Sequence, residues 1–215
     1  MLDKVSAAAL LKEKRYDSSI LPQLEEYVSS ATHDLDASIA TLKLYQFNPE
    51  KLQTAVVAKI LVKALTALPQ TDYLMCTYLL PDRLHDTAPI STIAEAANML
   101  ETCCFREFWG SLDPLRAELL KGLPGFDDGV RDFMLGVFER TYQSVPSDHL
   151  AASLGVGAAA LKPIVTKRGW TIEGDLVKIS LNADNQAKPK KVEMSSVMDT
   201  SQMTKILSSV AASNS

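Results

Sequence analysis

The chain has 215 residues, with Lys+Arg 22 against Asp+Glu 26 and a formal net charge of −4. Its hydrophobic share of 47 % and charged share of 22 % fit a globular protein of one large or two small packed domains. The acidic excess lies in residues 1–150 and the remainder is net basic; this argues against tracking nucleic acid by charge alone, which needs a concentrated basic face.

Residues 2–13 read as a first amphipathic helix. Ile20, Leu24, Tyr27 and Val28 define a second, with Pro22 tolerated in the opening turn. Asp34 is placed to cap a third helix, in which Leu35, Ile39 and Leu42 share one face and Leu44 and Phe47 a neighbouring one. A helix apolar on so much of its circumference is expected to be packed from two sides. Asn48-Pro49 then starts PEKLQTAVVAKILVKALTAL, which reads as one long helix. Its Lys51, Lys59 and Lys63 recur every four or eight residues and are expected on one solvated stripe. A helix over 71–80 and a loop over 81–89 follow. Ile93, Ala97 and Leu100 mark the next helix, Phe105, Phe108, Trp109 and Leu112 another, and Val130 to Phe138 one more, running to about Tyr142.

Residues 147–181 differ from this pattern. Ser147 is expected to cap a short helix containing Leu150 and Leu154 and ending at Gly155. Gly157 opens a second, with Leu161, Ile164 and Val165 on one face and Gly169 as its stop. Trp170, Ile172, Val177 and Ile179 then recur at the strand period of two around a Gly174-Asp175 turn. Helix, turn, helix and hairpin is the plan of a winged helix. The expected architecture is mainly α: a HEAT-like helical repeat array (1–145), a winged-helix module with a small β-hairpin (146–182), then a linker and a C-terminal amphipathic helix (183–215).

The 3 Cys, Cys76, Cys103 and Cys104, include an adjacent pair and an odd count, which suits reduced thiols better than a disulfide framework. No apolar run reaches membrane-spanning length, and the N-terminus reads as a helix, not a signal peptide. The expected compartment is the cytoplasm, with the nucleus as second choice. His33, His85 and His149 show no metal-ligand spacing, and Gly-rich phosphate cradles are absent. No catalytic residue, metal or cofactor is therefore expected, and neither is a small-molecule substrate or a membrane. Lys162, Lys167 and Arg168 are the candidate RNA contacts, although Glu173 and Asp175 in the wing oppose them. For protein–protein contact the candidates are Trp170, Ile172, Leu176 and Ile179, because a two-stranded wing offers a free edge.

The stretches DLDASIATLKLYQFNPE (34–50), ILVKALTALPQTDYLMC (60–76), LETCCFREFWGSLD (100–113), LPGFDDGVRDF (123–133) and GWTIEGDLVKI (169–179) occur in an order and at intervals that resemble the subunit k family of eukaryotic translation initiation factor 3, a PCI-type scaffold family. The resemblance spans nearly the whole chain and implies a non-catalytic scaffold role in translation initiation. It further implies partnership with other subunits of the factor, especially subunit l, and association with the small (40S) ribosomal subunit. Subunits of the proteasome lid or the COP9 signalosome, and winged-helix nucleic-acid-binding proteins, are the alternatives. Pro163, inside the second helix of the module, departs from the family pattern and suggests a late helix start or a kink. Segment 81–98 departs too.

Overall fold

The computed structural model describes residues 4–30, 33–113, 116, 123, 125–186 and 200–213. Within the first unit, Met1–Ser180, helices run over α1 (Lys4–Lys14), α2 (Leu21–Ser30), α3 (Leu35–Phe47), α4 (Thr54–Leu65), α5 (Asp72–Thr77), α6 (Asp82–His85), α7 (Ile90–Glu101), α8 (Phe105–Ser111) and α9 (Phe126–Thr141). Helix α1 packs on α3 and α3 on α5, while α2 packs on α4 and α4 on α7. Two rows of helices, each touching its neighbours along the row, result when successive helix pairs stack to bury their apolar stripes. Fully buried Leu24, Leu44, Ile60, Ile93, Leu100 and Phe108 belong to one core cluster.

Local chemistry explains several boundaries. Asp34 accepts from the backbone N–H of Asp36 (3.2 Å) and Ala37 (3.4 Å), capping α3 as its sequence position predicts. Most of α3 is buried or half-buried apart from Asp36 and its last two residues, Gln46 and Phe47, which are exposed. The expected long helix after Pro49 is two pieces: a 3-10 turn, Pro49–Lys51, then α4 after extended Leu52 and Gln53. Gln53 is drawn to α2, its side-chain amide donating to Glu25 at 3.0 Å. That break removes Lys51 from the lysine stripe. Lys63 leaves it as well: it is only 7 % exposed, and its ammonium donates to the Val28 and Ser29 carbonyls at the end of α2. A cation there answers the unpaired carbonyls and negative pole of a helix C-terminus. Residues 82–85, expected as loop, form α6.

The chain then forms β1 (Ser144–Pro146), α10 (Ser147–Leu154), α11 (Ala158–Lys167), β2 (Thr171–Glu173) and β3 (Leu176–Lys178). The sheet is antiparallel in the order β1-β3-β2, with Val145 opposite Val177 and Ile172 opposite Val177 on its other side. Strand β1 escapes periodicity because it is short and ends on Pro146, which an edge position tolerates. Ser147 is the first residue of α10 and not its cap; its N–H donates to Asp175 O at 2.8 Å. Helix α11 begins at Ala158 and continues through Pro163, which excludes the late start. The pair α10–α11 bends by 93°, close to the angle of helix-turn-helix units. No single described helix is long and apolar enough to cross a membrane.

The second unit, Leu181–Ser215, contains α12 (Thr200–Ser213). Met203, Ile206, Leu207 and Val210 fall at i, i+3, i+4 and i+7 along it and are exposed. Val197, Met198 and most of the expected linker lie outside the described residues.

Candidate functional site

Two joints hold α10, α11 and the sheet against the helical array. At the first, the Trp109 indole N–H donates to Ser153 O (2.9 Å) and Arg131 Nε donates to Leu154 O (3.2 Å), capping the end of α10. The Arg131 guanidinium also lies 5.2 Å from the Trp109 ring centroid, within cation–π range. Gly155 ends α10 in the left-handed region and lies flat against that indole. At the second joint, Arg168 just after α11 pairs with Asp132 (2.9 Å) and Glu139 (3.4 Å) of α9.

These joints decide what remains for partners. Trp170 and Ile179 are buried and belong to the interior, which corrects their selection as interface candidates. They share a sheet face with Val177, and that face packs inward. Ile172 and Leu176 remain 39 % and 44 % exposed. The register puts Ile172, on the edge strand β2, opposite Val177, and Leu176, on the central strand β3, opposite Glu173, so the two lie on opposite faces of the sheet. All of β2 is exposed, and among the described residues β2 pairs only with β3. The candidate surface is therefore an edge strand flanked by apolar side chains.

Of the candidate RNA contacts, Lys162 and Lys167 are exposed on α11. Arg168 is committed to Asp132 and Glu139, and Lys178 pairs with Glu173. Two of the module's four basic residues are thereby matched by carboxylates, which leaves Lys162 and Lys167 as its candidate phosphate contacts.

Among the described residues no group of three or more His, Cys, Asp or Glu is gathered in metal-binding geometry. His33 bonds to Asp72 (2.8 Å), His85 ends α6, and His149 Nδ1 is engaged by Arg106 (2.6 Å). Cys103 and Cys104 are exposed and line a cavity of 270 Å³ that His149 also borders. Cys76 is buried, and burial, helped by the Asp72 carboxylate, pushes its thiol from 9.0 to about 12. The raised value has a definite sign. Above about pH 9 the unfolded thiol ionises while the folded one keeps its proton until about 12, so this contribution is complete below 9 and is lost as pH climbs through that window. Urea titrations at pH 8 and pH 10.5 are expected to show a smaller stability loss for Cys76→Ala than for the wild-type chain.

A family model described as the CSN8/PSMD8/EIF3K family matches residues 51–191. The human protein named "Eukaryotic translation initiation factor 3 subunit K" is 38 % identical over 200 residues, covering 87 % of this chain and 91 % of the relative. The proteins of the same name from Danio rerio and Xenopus laevis are 39 % identical over 200 residues and 40 % identical over 184. The Danio match covers 87 % of this chain and 91 % of the relative, and the Xenopus match 83 % and 84 %.

Proposed function

From the premise that this chain belongs to the CSN8/PSMD8/EIF3K family, we propose that it serves as a non-catalytic scaffold subunit of eukaryotic translation initiation factor 3. The observation that carries this reading is the 38–40 % identity, along most of the chain, to relatives bearing that factor's name. Those names favour the initiation factor over the proteasome lid and the COP9 signalosome. The role is one of contact: translation initiation in the cytoplasm, with subunit l as direct partner and the small ribosomal subunit reached through the assembled factor. Residues 146–180 act as a winged-helix module whose β2 edge accepts a strand from a neighbour. Helix α12, with its apolar row exposed, pairs with a partner helix.

Affinity purification at near-physiological salt tests the reading. Initiation-factor subunits, subunit l among them, and the small ribosomal subunit are the expected companions. Recovery of proteasome-lid or signalosome subunits, or of the chain alone, overturns it. Within the assembly, Leu176→Asp is expected to lower incorporation about tenfold with an unchanged melting temperature, since the side chain is 44 % exposed. Unfolding of that variant would instead assign Leu176 to the interior.

A further inference from the structure

The helical array carries an aromatic rim of its own, far along the chain from the module just described. Tyr16 follows α1, Phe47 is the last residue of α3, and Tyr78 follows α5. The Tyr16 and Phe47 rings meet with centroids 6.4 Å apart, and the Gln46 side-chain amide donates to Leu79 O at 2.9 Å. The C-terminal ends of three stacked helices thus converge on one edge. There the aromatic side chains are between 66 % and 76 % exposed. Rings of this size have ample interior to enter in a chain this long, and a cluster of them in solvent marks a contact surface.

Beside the rim lies a groove of 370 Å³ walled by Pro49, Leu80 and Pro81, in which Arg83 is the one charged lining residue. Arg83 is exposed, and among the described residues no carboxylate pairs with it. Asp17, whose pKa is lowered first by the hydrogen bond it accepts from Ser19 N–H at 2.9 Å and then by the nearby Lys14 and Lys51, is already engaged. An apolar groove with an unmatched guanidinium at its mouth complements an apolar anchor next to a carboxylate. RNA fits less well. The two touching rings are edge to face at 76°, which gives successive bases no parallel platform.

We propose that this rim and groove dock an acidic peptide segment of another subunit, its apolar residue seated between Pro49 and Leu80 and its carboxylate on Arg83. The proposal rests on the assembly reading above and names the chemistry of one further partner. The test places the photo-reactive residue benzoylphenylalanine at position 47 in the chain incorporated into the purified assembly, with adducts sequenced by mass spectrometry. The expected adduct lies on another subunit, within a few residues of an Asp or Glu beside an apolar side chain. Arg83→Glu is expected to lower its yield about tenfold or more and Arg83→Lys to retain most of it. Adducts on RNA or on a basic segment, no intermolecular adduct, or a yield indifferent to Arg83→Glu each overturn the docking proposal. Failure of the chain to enter the assembly at all would instead overturn the scaffold reading, so the two failures are distinct.

Discussion

Gly155→Ala is expected to lower the melting temperature by about 6–12 °C, the largest effect of a methyl group added at any of the described glycines. Gly155 has φ +61, which an L side chain adopts at about 1–2 kcal/mol. A Cβ there would sit 2.8 Å from the Trp109 indole carbons. The indole cannot retreat cheaply, because its N–H is bonded to Ser153 O and Arg131 lies over its ring. Overpacking of this kind adds about 1–3 kcal/mol, and a total near 3 kcal/mol corresponds to that shift for a domain of about 150–250 residues. Gly174→Ala isolates the backbone part. Its φ is +59, but nothing lies within 4 Å of the added methyl, so about 1–2 kcal/mol is expected. Equal melting temperatures for the two variants would show that the indole yields and that this joint is loose.

Lys63→Met is expected to remove about 2–4 kcal/mol of stability, measured by urea titration, while Lys59→Met changes it by less than about 0.5 kcal/mol. The two lysines are one helical turn apart and look alike in sequence. In the fold Lys63 is buried and donates to the carbonyls of Val28 and Ser29, which Met fills around without satisfying. Burial lowers the Lys63 pKa from its ordinary value, with repulsion from Lys59 adding to it. Part of the loss is therefore offset by no longer carrying a buried charge. A neutral Lys63→Met would return Lys63 to the solvated face that its spacing suggested.

Those two residues mark where the sequence stops being informative. Asp34 announces the cap of α3, and the apolar rows of α7, α8 and α9 announce their buried faces, because each signal depends on neighbours within one or two turns. Gly155 also ends its helix as written. What the glycine touches could not be read. Trp109 lies in α8, and its pattern marked it as a core aromatic with no hint that its N–H would cap a helix end more than forty residues later. The candidate edge was half legible. Alternation around Gly174-Asp175 identified the hairpin, yet Trp170 and Ile179 turned inward, and Arg168 found carboxylates on α9.

By itself the amino-acid order determined a mainly helical chain ending in a small hairpin, the positions of most helices, and kinship with a scaffold family. Each is encoded in local periodicity, capping residues or contiguous motifs, which need no knowledge of distant partners. Only the tertiary structure decided that Lys63 serves a helix 35 positions earlier, that β1 completes the sheet, and which apolar side chains stay outside. Those outcomes depend on which surfaces meet, and burial is a property of the meeting, not of the residue.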